Sequence, residues 1–100
     1  MPSIVFADAS FDVKTRISVL GVCDEFYGSS HTKSVRVKDN NEAELAAVNL
    51  AASLFPETTV IFTDSEYAIK SFSGKHSVQK CQRNNVANIL VRSKREEKHQ

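Results

Sequence analysis

Residues 39–65 read DNNEAELAAVNLAASLFPETTVIFTDS, and this stretch decides the fold. Its first three residues, 39–41, are polar helix-start residues, and apolar residues then recur at helical spacing over 43–54. Pro56 ends the helix, because proline lacks the amide hydrogen that a continuing helix needs. The β-branched run after it predicts a buried strand over residues 58–63. The stretch therefore predicts an amphipathic helix followed directly by a strand.

Three segments upstream of this helix predict strands. Residues 3–9 form a short apolar run, residues 17–23 form a second one, and residues 32–38 alternate between polar and apolar. Gly21, inside the second strand, indicates a bulge or a close approach by another part of the chain. Because the connections are short, the three strands are expected to form an antiparallel meander.

The helix joins this meander to the strand at residues 58–63. Such a crossover connects parallel strands, so this strand is expected beside the first one. Asp64 and Ser65 then start a short helix that extends to about Phe72, and a final helix is predicted over about 84–96. The predicted fold class is α/β, with a mixed sheet in which three antiparallel strands precede a parallel strand and helices flank the sheet.

The chain has 100 residues, of which 41% are hydrophobic and 25% are charged, a composition typical of globular proteins. We expect a single domain over residues 1–100, with a core at 3–72 and a C-terminal helix at about 84–96. The net charge of +1 excludes the strong positive field of a non-specific nucleic-acid binder. Cys23 and Cys81 lack zinc-site spacing, and no segment is apolar enough to span a membrane. An intracellular protein, cytoplasmic or nucleoid-associated, is therefore expected.

Three acidic residues occupy positions that the predicted topology brings together. Asp8 and Asp64 lie at the carboxyl ends of two neighbouring parallel strands, and Glu44 lies in the first turns of the helix between them. Each has an ordinary explanation on its own, since an Asp after a strand often caps a helix and a first-turn Glu suits the helix dipole. Together they predict a site for a hard divalent cation such as Mg²⁺, which prefers oxygen ligands.

The segments around these acids resemble the three successive signature segments of the ribonuclease H family. They read IVFADAS at residues 4–10, NNEAEL at 40–45 and IFTDSEY at 61–67. The resemblance covers roughly the first seventy residues and includes flanking residues as well as the acids. It implies a ribonuclease H-like fold and a hydrolase, an endonuclease that cleaves the RNA strand of RNA–DNA hybrids.

The resemblance also implies roles for single residues. Asp8, Glu44 and Asp64 would be catalytic and would hold two Mg²⁺ ions, or Mn²⁺, one activating a water and the other stabilising the leaving 3′-oxygen. The implied substrate-binding residues are Ser10, Asn40, Asn41 and Ser65. The two asparagine amides would face RNA 2′-hydroxyls, although one of them also suits the helix cap. His76 would be the loop histidine that assists product and metal release.

The C-terminal part departs from the family pattern, in which a fifth strand and a closing helix with a fourth carboxylate follow. Two alignments remain open. In the first, residues 84–90 are the closing helix, the middle helices and the fifth strand are deleted, and Asn88 replaces the fourth acid as a metal ligand. In the second, residues 84–90 are a middle helix and the chain ends before the closing part.

The missing fourth carboxylate leaves two classes of function open. The leading expectation is the endonuclease, and the alternative is a non-catalytic ribonuclease H-like module that binds nucleic acid or protein. A sheet without its fifth strand would also expose the edge beside residues 58–63, which favours a homodimer through strand pairing.

Overall fold

The structure, a computed structural model, describes residues 4–25, 28–57 and 60–98, with side chains described through residue 92. The elements in chain order are β1 (Ile4–Phe11), β2 (Ile17–Asp24), β3 (Ser30–Arg36), α1 (Asn40–Leu54), β4 (Val60–Thr63), α2 (Glu66–Ser71), β5 (Ser77–Lys80) and α3 (Arg83–Lys98). The five strands form one mixed sheet in the order β3-β2-β1-β4-β5. The predicted mixed α/β fold is therefore confirmed, and the first two residues of the predicted fourth strand, 58 and 59, lie outside the described residues.

The predicted antiparallel meander is present, with β2 between β1 and β3. Gly21 keeps a regular register, opposite Asp8 on one side and Thr32 on the other, so the strand has no bulge there. Instead, a Cβ atom at Gly21 would lie 3.4 Å from Leu90 Cδ1 of α3. The glycine thus allows α3 to pack closely on the sheet.

The crossover through α1 places β4 beside β1 in parallel, as predicted. Their paired positions run from Ile4 opposite Val60 to Phe6 opposite Phe62. The expectation that β1 ends near Asp8 is wrong, because β1 continues to Phe11 by pairing with β2 alone.

The fifth strand is present, so the first alignment is wrong where it deletes this strand. β5 pairs in parallel with β4, with Val78 opposite Ile61. Because β5 is a short edge strand in which only Val78 is half-buried, it lacks the apolar pattern that predicts a strand. β4 is consequently an inner strand. The exposed edge of β4 that favoured a homodimer is covered by β5.

The main core lies between the sheet and α1. Small residues on α1 let the helix approach the sheet closely, and they meet larger side chains from the strands. The fully or nearly fully buried core residues are Val5, Ala7, Ala9, Leu20, Val22, Val37, Ala43, Ala47, Val48, Ala51, Ile61 and Ala68. This packing fixes the first turn of α1 above the edge of the sheet at which β1 and β4 carry Asp8 and Asp64.

The final helix, α3, packs on the opposite face of the sheet through the fully buried Val86. α3 follows β5, as the closing helix follows the fifth strand in the family pattern. The first alignment therefore places this helix correctly, and the second alignment is wrong.

Within the described residues, no helix is long and apolar enough to cross a membrane.

Candidate metal centre

Strand register brings Asp8 and Asp64 to the same level. The last paired positions of β1 and β4 are Phe6 and Phe62. Two residues further on, β1 reaches Asp8 and the chain after β4 reaches Asp64, so both carboxylates lie at the carboxyl edge of these parallel strands. Asp64 is not a helix cap, because the Ser65 hydroxyl accepts the Ala68 amide at 3.1 Å and is the N-cap of α2.

The third carboxylate, Glu44, reaches this edge from α1. Asp39 is the N-cap of α1, and its Oδ1 accepts the Glu42 amide at 2.8 Å. The cap sets the start of the helix, which places Glu44 on its buried face beside Ala43 and Ala47. Only 3% of Glu44 is exposed. A first-turn glutamate that interacted only with the helix dipole would lie in solvent, so the dipole alone does not explain the burial of Glu44.

The three acids predicted from the sequence lie together. One carboxylate oxygen from each of Asp8, Glu44 and Asp64 lies within 4.8 Å of the other two. Among the described residues, no group hydrogen-bonds to Glu44 Oε2, although this atom is buried. Buried polar atoms are normally paired, so the unpartnered oxygen together with an all-oxygen donor set fits a hard divalent cation.

Burial and mutual repulsion oppose ionisation of the cluster. Burial, with the negative charges of Asp8 and Asp64, raises the pKa of Glu44 from 4.5 to about 8. Burial also raises the pKa of Asp8, against the effect of the Ala9 amide, which donates to Asp8 Oδ1 at 2.9 Å. Without a cation, Glu44 therefore holds a proton at neutral pH, and Glu44 would have to release that proton to serve as a cation ligand.

A basic residue that sequence reasoning missed also reaches the cluster. Arg83, the first residue of α3, places Nε at 3.3 Å from Asp64 Oδ2. Its positive charge lowers the pKa of both Asp8 and Glu44. The sequence gives no signal for this contact beyond a basic residue at the start of a helix.

Three of the predicted substrate-binding residues line a cavity beside the cluster. Asn40, Asn41 and Ser65 share this cavity with Glu44 and Asp64. Because Asp39 caps α1, neither asparagine serves as the N-cap, and both side chains are exposed. The fourth predicted residue, Ser10, lines a second cavity of about 320 Å³ beneath α3, together with Asp8.

His76 does not lie at the cluster, so its predicted accessory role is wrong. It directly precedes Ser77, which pairs with Val60 at the start of β4, whereas Asp64 follows the end of β4. His76 Nε2 donates to the Phe55 carbonyl at 3.2 Å and thereby ties the α2–β5 loop to the end of α1. The histidine therefore has a structural contact at the opposite edge of the sheet.

Asn88 lines neither of the cavities that contain the carboxylates. It lies with Phe6 and Phe62 along a third cavity, on the other side of α3. Ala87, one helical turn after Arg83, instead lines the cavity that contains Asp8. The structure therefore does not bring Asn88 to the three acids.

Together, the mixed sheet and the acidic cluster define an α/β protein with a candidate divalent-metal centre at one sheet edge. The sequence matches the ribonuclease H family (RNase H) over residues 2–99, and the chain belongs to this family. The match extends beyond the three signature segments and includes β5 and α3. No curated protein matches the sequence significantly.

The raised pKa of Glu44 predicts how stability depends on pH. In the unfolded chain Glu44 ionises near 4.5, and in the fold near 8, so between these values the folded state binds more protons. We therefore expect the free energy of unfolding of the metal-free protein to fall as pH rises from about 4.5 to about 8. Glu44→Gln should remove most of this fall, which is on the order of a few kcal/mol. Urea unfolding in EDTA across this pH range measures the effect, and an equal fall in the variant would contradict it.

The positions of Ala87 and Asn88 predict different effects of an added acid. Ala87→Asp places a carboxylate on the side of α3 that faces the cavity of Asp8, so Mn²⁺ binding should tighten by about two- to fivefold. Asn88→Asp adds only an exposed surface charge, so its affinity should match that of the wild type. Calorimetric Mn²⁺ titrations of both variants test this, and tighter binding by Asn88→Asp alone would place Asn88 at the site instead.

Proposed function

We propose that this chain is a divalent-metal-dependent endonuclease that cleaves the RNA strand of RNA–DNA hybrids. The observation that carries the proposal is the convergence of Asp8, Glu44 and Asp64 within 4.8 Å, in a chain of the ribonuclease H family. The unpartnered oxygen of Glu44 supports a cation as the missing partner. Catalytic groups commonly have perturbed pKa values, and Glu44 fits this pattern.

Asp8, Glu44 and Asp64 would hold Mg²⁺ or Mn²⁺, which when bound supplies an activated water and stabilises the charge on the phosphodiester. Glu44 gives up its carboxyl proton when it becomes a ligand, so the cluster binds cations better as pH rises towards 8. Hydrolysis with two ions is the arrangement that the resemblance implies. In this chain the guanidinium of Arg83 already places a positive charge beside Asp64.

Selection of RNA would come from the cavity beside the cluster. Asn40 and Asn41 are exposed there and are not used as helix caps, so their amides are available to donate to and accept from 2′-hydroxyls. The Ser65 hydroxyl accepts the Ala68 amide and keeps its own hydrogen for a substrate oxygen. Ser10, beside Asp8, would contact the hybrid backbone beneath α3.

Incubation with an end-labelled RNA–DNA hybrid tests this proposal. We expect cleavage of the RNA strand in Mg²⁺ or Mn²⁺, with a 3′-hydroxyl on the released fragment and no cleavage in EDTA. Duplex DNA and duplex RNA serve as matched substrates and should stay intact. Equal cleavage of duplex DNA, or cleavage that persists in EDTA, would contradict the proposal.

The alternative is a non-catalytic module that binds nucleic acid or protein. The observation that favours it is the absence of a fourth acid from the cluster, among the residues whose side chains are described. It predicts that the chain binds hybrid, with affinity that falls as salt rises, but releases it uncut in every divalent cation.

A further inference from the structure

Arg83 is held beside the acidic cluster by the turn that precedes α3. The Cys81 amide donates to the Thr63 carbonyl at 2.8 Å, which ties the end of β5 to the residue before Asp64. The Gln82 carbonyl accepts amides from the first turn of α3, so the helix begins immediately after this contact. Backbone contacts thus place Arg83 where its Nε meets Asp64 Oδ2 at 3.3 Å.

The charges in the cluster match one divalent cation. Three carboxylates and one guanidinium leave two net negative charges when all are ionised. A guanidinium does not lose its proton in proteins, so this positive charge is permanent. A cluster of four carboxylates without an arginine would carry four negative charges, which is the charge of two divalent cations.

Over the part of α3 whose side chains are described, residues 83–92, no acidic residue compensates for Arg83. The described residues of α3 that share the cavity of Asp8 include Arg83 and Ala87 but no acid. Glu66, the remaining acid in the cavity beside the cluster, is already paired with Lys80 at 2.7 Å. The helix that would supply a fourth negative ligand therefore supplies a positive side chain.

We propose that Arg83 takes the place of a second divalent ion, so that the cluster binds one Mg²⁺ and the guanidinium supplies the remaining positive charge. This inference rests on the proposed function, because it concerns the charges that face the scissile phosphate. The side chain of Arg83 is 67% exposed, whereas that of Asp64 is 11% exposed. Most of the Arg83 side chain is therefore open to solvent while Nε contacts Asp64, so the guanidinium has further donors to offer a phosphate oxygen.

Calorimetric titration with Mn²⁺ alone tests this proposal. We expect the wild type to bind one Mn²⁺ per chain. Arg83→Met should bind the ion about two- to fivefold more tightly, because Asp64 loses a competing cation in an exposed ion pair. The same variant should cleave hybrid more slowly, by more than about tenfold, because the phosphate loses a charge partner. A purely structural role for Arg83 would instead weaken both ion binding and cleavage.

Two further variants control for the charge and for the helix. Arg83→Lys keeps a cation at this position and should retain the affinity of the wild type for Mn²⁺. Arg92→Met makes the same change as Arg83→Met on the same helix, but Arg92 lines the cavity on the other side of α3, so its Mn²⁺ affinity should not change.

Two Mn²⁺ ions bound by the wild type, or equal affinities of the wild type and Arg83→Met, would overturn the proposal. Failure of the proposed function has a different signature. In that case no variant and no wild-type protein cleaves hybrid, whereas the Mn²⁺ titrations still separate Arg83→Met from Arg83→Lys. Cleavage by a wild type that binds two ions overturns the role of Arg83 alone.

Discussion

Asp64→Asn is expected to lower the rate of hybrid cleavage by at least about a hundredfold. Replacing a residue that only supports a metal ligand typically lowers activity by about 10- to 100-fold, and loss of a ligand's charge should cost at least as much. The substitution keeps the shape of the side chain and removes its charge. Asp64 does not cap α2, and its loss relieves repulsion within the cluster, so the metal-free variant should be as stable as the wild type or slightly more stable. Cleavage rates in Mg²⁺ and melting temperatures with and without Mg²⁺ measure both effects.

Asp12→Asn is the matched control for this prediction. Asp12 is exposed in the β1–β2 turn, where its Oδ1 accepts the Lys14 amide. The variant should keep the wild-type cleavage rate and the rise in melting temperature that Mg²⁺ causes. If Asp64→Asn unfolds the protein while Asp12→Asn does not, the main role of Asp64 is structural.

The largest effect on stability is expected from Ile61→Ala. Ile61 is fully buried in β4, the strand that leads to Asp64, and it lies opposite Val5 on one side and Val78 on the other. Removing its side chain from the core should lower the free energy of unfolding by about 2–5 kcal/mol. Urea unfolding in EDTA measures this loss without a contribution from bound metal.

The same substitution at Ile17 provides the comparison. Ile17 begins β2 and is 41% exposed, so Ile17→Ala should cost less than about 1 kcal/mol. Equal losses for the two variants would mean that β4 is not the buried inner strand described here.

The sequence predicts the part of the fold in which local pattern and burial agree. The helical spacing that starts at Ala43 and the apolar run at Ile61 both follow from burial against one large core, so the crossover and the position of Asp64 could be predicted. The position of Asp8 could be predicted as well, although the strand continues past it. The convergence of the acids follows from this topology, because the carboxyl ends of parallel strands meet at one edge.

The sequence does not predict the features that depend on exposed residues. β5 buries little beyond part of Val78, so no apolar periodicity marks it. His76 directly precedes β5, so a sequence pattern that does not show this strand does not show at which edge of the sheet the histidine lies. The contact between Arg83 and Asp64 depends on the two-residue turn between β5 and α3. This turn brings together residues that are far apart in the sequence, and no local sequence pattern predicts such a contact.

Paramagnetic broadening by Mn²⁺ tests the metal centre most directly. In an amide NMR spectrum of the wild type, we expect substoichiometric Mn²⁺ to broaden first the amides beside the three acids, those of Ala9, Leu45 and Ser65. The amide of Ser77, at the opposite edge of the sheet, should stay sharp, and Asp8→Asn should abolish the selective broadening. Broadening centred away from the three acids, or unchanged in Asp8→Asn, would contradict the assignment of this cluster as a divalent-metal site.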